Sequence, residues 1–145
     1  MNMRHALWLA VQWMLAPRCG TMLRHTVHRQ MAPLGIGRWL DVGCGPRSQI
    51  AGTLPGTVVG IDCAADMLLE TQHDGVVGVC ASATALPFAG ESFDGVVSFG
   101  LLHHLSDADA DKALAEMRRV VRPAGTILLL DNVSPTSNAR RPCFR

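Results

Sequence analysis

From position 38 onward, short apolar runs alternate with stretches in which apolar residues recur at helical spacing. Short runs bounded by glycine and proline read as buried strands, and recurrence at i, i+3 and i+4 reads as helix. The pattern predicts strands over 38–42, 57–62, 76–80, 93–98 and 126–130. It predicts a short helix over 48–54 that stops at Pro55-Gly56, and a second over 64–72 with Ala65, Leu68 and Leu69 on one face. A third helix begins at Ser106, where Asp109 three residues on completes a capping box. Its apolar stripe is Ala110, Leu114, Met117 and Val121, and Pro123 and Gly125 end it. Helices between successive strands require right-handed crossovers, so the fold class is α/β with a mainly parallel, doubly wound sheet.

The chain outside this alternation divides into an N-terminal helical segment, 1–37, and an irregular tail, 132–145, around the α/β part at 38–131. Residues 1–37 contain no acid but carry Arg4, Arg18, Arg24 and Arg29. Positions 6–16 are apolar apart from Gln12 and include Trp8 and Trp13. That run is too short to span a bilayer. The reading is a helical cap on the domain; the alternatives are a targeting segment or an amphipathic helix touching a membrane surface through residues 1–30.

Length and composition narrow the class. The 145 residues suffice for one domain with a real core, and 48% apolar content suits a sheet buried on both faces. A net charge of +1 leaves no nucleic-acid footprint. Five cysteines, odd in number and with no C-x-x-C pair, read as reduced thiols in a cytoplasmic chain and not as a metal site.

The chemistry concentrates at Leu40-Asp41-Val42-Gly43-Cys44-Gly45-Pro46. A strand ends in an acid and runs into a glycine turn that lets a ligand approach the backbone. A helix after the turn would aim free N–H groups at that ligand. A dinucleotide would need a third glycine where Ser48 stands, and Asp41 would repel its pyrophosphate. S-adenosylmethionine carries two cationic groups and one carboxylate, which suits an acid beside a helix start. For Cys44, the two readings are close-packed filler and a catalytic thiol. Asp62 ends the second apolar run 21 residues after Asp41, where a carboxylate can accept from both hydroxyls of a ribose.

LDVGCGP, VVGID with Met67-Leu68 behind it, ALPFAGESFDGVVS, LLHHL, and VVRP leading to TILLLD occur in this order. Together they resemble a class I S-adenosylmethionine-dependent methyltransferase of the small-molecule and lipid-modifying type, over about 38–131. The resemblance implies a Rossmann-like sheet of order 3-2-1-4-5 and S-adenosyl-L-methionine as cofactor. It implies cofactor contacts from Asp41, Gly43, Cys44, Gly45, Asp62, Cys63, Met67, Ser82, Ala83, Thr84, Ser98 and Phe99. Ser82 stands where the family usually has an Asp for the adenine amino group, and Arg47 where many relatives have a further glycine.

Methyl transfer needs position and electrostatics and no protein nucleophile. His103 and His104 are the candidates for a general base; otherwise they order their loop by hydrogen bonds or face solvent. The expected acceptor is small or lipid-like. The family continues beyond strand five with further strands, and this chain ends at Arg145. A truncated sheet, pairing of strand five with a second copy, or a minimal domain would each follow. Alternative functions are a non-catalytic binding module, a fragment of a longer methyltransferase, and a nicotinamide-dependent oxidoreductase.

Overall fold

The computed structural model describes residues 17–71 and 75–131. The apolar run at 6–16 and the tail at 132–145 lie outside them, as does Gln72 at the expected end of the second helix.

Helix α1 (Pro17–Met31) runs through a short 3-10 turn (Ala32–Leu34) into strand β1 (Gly37–Val42). Strand β2 (Gly56–Asp62), helix α2 (Ala65–Thr71), strand β3 (Val77–Cys80) and strand β4 (Phe93–Phe99) follow. A second 3-10 turn (Leu102–His104) leads to helix α3 (Asp107–Val120) and strand β5 (Val121–Leu130). The five strands form one sheet in the order β3-β2-β1-β4-β5. All four pairings are parallel, so every strand ends at the same edge.

The alternation of side chains along each strand sorts the core into two layers. Leu40 and Val42 on β1, with Val59 and Ile61 on β2, pack under α3 through Ala113, Met117 and Val120. Trp39, Val58 and Val97 face the other way, against Val27 and Met31 of α1 and Ile50 and Leu54 of the β1–β2 connection. Trp39 is fully buried, and its indole N–H donates to the Pro55 carbonyl at 2.8 Å, so its polar atom has a partner. Arg24 of α1 donates to the Ala51 carbonyl at 2.6 Å, tying the N-terminal helix to the same connection.

Three local expectations are corrected. Residues 46–55 form turns, not a helix. The Ser48 hydroxyl accepts the Ile50 N–H at 3.3 Å and Gly52 sits at φ +64°, so local bonds and a left-handed residue displace helical pairing. The α3 face is also rotated: Ala113, Met117 and Val120 are buried, while Ala110 and Leu114 lie at the rim. Finally, α3 stops at Val120, and β5 begins at Val121 instead of Thr126. Pro123 disfavours helix at Arg122. It is tolerated inside β5 because the ladder jumps there, Phe93 pairing with Val121 and Gly95 with Thr126. The expected cap is formed: the Ser106 hydroxyl accepts the Asp109 N–H at 3.2 Å.

Candidate functional site

Parallel pairing brings the ends of β1, β2 and β3 together, and backbone bonds knit them. The Gly43 and Cys44 N–H groups both donate to the Ile61 carbonyl at 2.9 Å. The Gly45 N–H donates to Asp62 Oδ2 at 3.0 Å, and Ala64 N–H donates to Asp62 Oδ1 at 3.0 Å. Ala81 N–H donates to the Asp62 carbonyl at 3.0 Å. Asp62 thus fixes the glycine turn and the start of α2, yet remains partly exposed.

Asp41 is 1% exposed. Its Oδ2 accepts the Ser48 hydroxyl at 2.6 Å. Burial pushes its carboxyl up to about 6; the bonds from Ser48 and the Gln49 backbone pull it down, and the Asp62 charge raises it. Among the described residues no basic group contributes to that balance. Burial also pushes the Cys44 thiol up to about 12, with Asp41 and Asp62 adding to it. A thiol in that state is not a nucleophile. Cys44 instead packs its sulfur against Gly60, where a Cβ would lie 2.8 Å from Sγ.

Cys63 and Cys80 are exposed free thiols at the ends of β2 and β3. Met67 is half-buried on α2, and Ala83 packs at the margin of the α3-side core. Ser82 and Thr84 share a hydroxyl–hydroxyl bond of 2.8 Å in the turn after β3, and Ser82 is exposed. Ser98 is turned inward: its hydroxyl donates to the Val42 carbonyl at 2.9 Å and joins the ends of β4 and β1. Phe99 packs on the α1-side core. Leu101 closes over the glycine turn, with Cδ1 3.0 Å from where a Gly43 Cβ would stand.

His103 lies at the ends of β4 and β5, and Nδ1 is 2.6 Å from Asp131 Oδ1. His104 stacks obliquely on it at 3.9 Å, and burial lowers its pKa. Arg47 is exposed.

Three residues that periodicity does not single out hold the site. Ser48 occupies the missing-glycine position but serves Asp41. Thr71, at the end of α2, donates its hydroxyl to the Gly45 carbonyl at 2.6 Å. Asp131 receives His103. Ser48 carried a usable signal, a hydroxyl seven residues beyond a strand-end acid. Thr71, 26 residues from Gly45, carried none. Among the described residues no cluster of three or more His, Cys, Asp or Glu side chains is placed to hold a metal.

A family model described as a methyltransferase domain matches residues 40–129. The chain belongs to the class I S-adenosylmethionine-dependent methyltransferases. Among curated relatives, it is 38% identical over 121 residues to a demethylmenaquinone methyltransferase of Mycobacterium sp. strain KMS, covering 74% of this chain and 48% of the relative. The chain therefore spans about half the length of that methyltransferase. An amino pentose methyltransferase of Micromonospora echinaspora, solved with S-adenosylmethionine bound, shares the fold at a TM-score of 0.74 and 23% identity, over 93% of this chain and 58% of that one. A phosphoethanolamine N-methyltransferase of Haemonchus contortus, solved with S-adenosylhomocysteine, matches at a TM-score of 0.64 and 25% identity, over 74% of this chain and 27% of that one. In this methyltransferase domain the acids and glycines of the site stand at the sheet edge where doubly wound folds open their crevice.

Proposed function

We propose that the chain binds S-adenosylmethionine at the ends of β1 to β4 and serves methyl transfer to a small-molecule acceptor. The observation that carries this is the acid pair. Asp41 is buried with a raised pKa, Asp62 adds to that rise, and among the described residues no basic group offsets them. Such a site suits a cationic ligand and repels a pyrophosphate. This residue set fits the cofactor's ammonium and sulfonium and disfavours a nicotinamide dinucleotide.

In this reading Asp62 accepts from the ribose hydroxyls with the lone pairs its two backbone bonds leave over. Gly43, Cys44 and Gly45 offer a side-chain-free wall to the methionine part, and Asp41 acts from beneath through its charge. Ser82, Ala83 and Thr84 border the adenine, with Cys63 and Met67 beside the ribose. Ser98 and Phe99 support the floor, the Ser98 hydroxyl being committed to the Val42 carbonyl. The turns at 46–55 supply no helix N-terminus for the cofactor carboxylate. When bound, the cofactor supplies a methyl group activated on sulfur. The protein orients the acceptor and excludes water at the ends of β4 and β5, beside Leu101 and His103. The relatives named as acting on a demethylmenaquinone and a phosphoethanolamine support a small acceptor. The free thiols at Cys44, Cys63 and Cys80 support a reducing, cytoplasmic setting.

Calorimetric titration with S-adenosylhomocysteine, beside Asp62→Ala, tests the reading. Micromolar binding, on the order of −8 kcal/mol, that is lost in the variant is the expected result. A folded wild-type chain that takes up no ligand would overturn it.

A further inference from the structure

Two exposed thiols stand side by side at the sheet edge where the proposed cofactor site opens. Strand register pairs Asp62 on β2 with Cys80 on β3, and Cys63 is the residue after Asp62. Parallel strands run about 4.8 Å apart and rise about 3.3 Å per residue. That spacing sets the Cα atoms of Cys63 and Cys80 about 6 Å apart, inside the range of about 4.4–6.8 Å that a disulfide spans. The Cys80 side chain leans across the gap, with Sγ 3.6 Å from the Cys63 carbonyl oxygen. A thiol is a weak donor, so little is lost when that contact is given up. Both cysteines are free and exposed, whereas Cys44 is buried.

The fold has already brought the two positions together. The Ala81 N–H donates to the Asp62 carbonyl at 3.0 Å, closing the strand ends on each other. A bridge between residues 17 apart in the chain therefore meets no further loop-closure entropy in the folded state.

The neighbour of the pair decides what a bridge does. Asp62 Oδ1 accepts the Ala64 N–H and Oδ2 accepts the Gly45 N–H, so the backbone of Cys63 lies inside the small ring that Asp62 closes with Ala64. A bond from Cys63 to Cys80 pulls on that ring from its middle and disturbs the acid that holds the glycine turn. It also sets two joined sulfurs between Asp62, proposed for the ribose, and Ser82 to Thr84, proposed for the adenine.

We propose that Cys63 and Cys80 are an oxidisable pair, that a small-molecule disulfide converts them to an intramolecular disulfide, and that the bridged chain loses its hold on the nucleoside part of the cofactor. The loss of binding rests on the methyltransferase reading; the bridge does not. One cysteine, as its thiolate, attacks a sulfur of the small disulfide, whose S–S bond breaks and releases one small thiolate. The second cysteine thiolate attacks the protein sulfur of the mixed disulfide, releasing the other small thiolate as the Cys63–Cys80 bond forms. The two protons lost by the cysteines end on the two departing thiols, and two electrons pass from the protein to the small disulfide. A ligand that the bridge excludes must oppose the bridge by the same factor.

The test of the bridge equilibrates the full chain in buffers of graded glutathione to glutathione disulfide ratio, followed by alkylation, digestion and mass spectrometry. A Cys63–Cys80 linked peptide from monomeric protein is expected to grow as the oxidised share rises, and the map separates this pair from the other three cysteines. Glutathione on each thiol separately in the most oxidising buffer, with no linked peptide, would overturn the proposal. A bridge found only between two chains would do the same.

Calorimetry with S-adenosylhomocysteine tests the consequence. Bridged protein is expected to bind about tenfold more weakly than reduced protein, or worse, and dithiothreitol is expected to restore the affinity. Saturating S-adenosylhomocysteine should shift the midpoint of the glutathione titration toward more oxidising ratios. Equal affinity of the bridged and reduced chains, or a midpoint that the ligand does not move, would overturn the switch and leave the methyltransferase reading standing. Reduced protein that takes up no ligand would instead sink the methyltransferase reading and the switch with it, while the peptide map still decides the bridge.

Discussion

The Gly45 backbone N–H donates to Asp62 Oδ2 at 3.0 Å, so the glycine turn after β1 is held by the acid that ends β2. Two features that stand 17 residues apart in the chain form one unit. Asp62 orders the turn that its proposed ligand would lie on, and substituting it removes both a contact and a support.

Gly45 itself sits at φ +58°, with nothing within 4 Å of where a Cβ would stand. The obstacle to a side chain is backbone conformation and not space. Gly45→Ala is expected to destabilise the fold by about 1 kcal/mol, and Gly45→Asn by less, because asparagine tolerates the left-handed region. Urea unfolding of the two variants checks the order, and equal stability of Gly45→Ala and wild type would contradict it.

The buried Asp41 makes stability depend on pH in an unusual direction. Its folded pKa of about 6 lies above the ordinary 3.8, so between these values the folded state holds more protons than the unfolded one. Stability from this group is highest below the ordinary value and falls as pH rises through the folded pKa. The penalty reaches about 3 kcal/mol above that window. Asp41→Asn keeps an oxygen for Ser48 and removes the charge. Its stability advantage over wild type should therefore be larger at pH 8 than at pH 4, as read by denaturant midpoints at both. A constant difference would show that the carboxyl is not the group titrating.

Gly95 leaves room for the indole of Trp39. A Cβ there would lie 2.8 Å from Trp39 Cζ3 and 3.1 Å from Met31 Cε. The ring is held by its bond to Pro55, so it has little freedom to yield. Gly95→Ala should cost about 1–3 kcal/mol by overpacking. A thermal melt as high as that of the wild type would refute this.

Arg119 clasps the connection between β3 and β4. It donates to the Phe88 carbonyl at 2.8 Å and the Leu86 carbonyl at 3.0 Å, while Glu116 Oε2 accepts the Leu86 N–H at 2.7 Å. The Arg119 hydrogen bonds to Glu116 also hold that carboxyl below its usual range. Arg119→Ala should speed hydrogen exchange at Leu86 and its neighbours while the strands keep their protection. Uniform exchange across the sheet would point to global destabilisation instead.

The fold was legible because its signals are local. Acid-terminated apolar runs, the capping hydroxyl of Ser106 and the break at Pro55-Gly56 each act within a few residues, and they placed five strands and the order of elements. Where one local bond competes with another, periodicity misleads. Ser48 and Gly52 turn 46–55 away from helix, and the jump in pairing opposite Gly95 absorbs Pro123 into β5.

The amino-acid sequence by itself determined the α/β class, the family, and which acids and glycines stand at the strand ends, because these follow from residue type and spacing. Only the tertiary structure decided how those groups are wired. That Ser48 serves Asp41, that Thr71 reaches Gly45, and that Asp131 orients His103 depends on strand register and on where each helix ends. Contacts across 26 or 28 residues are set when the sheet assembles, and no periodicity along the chain encodes them.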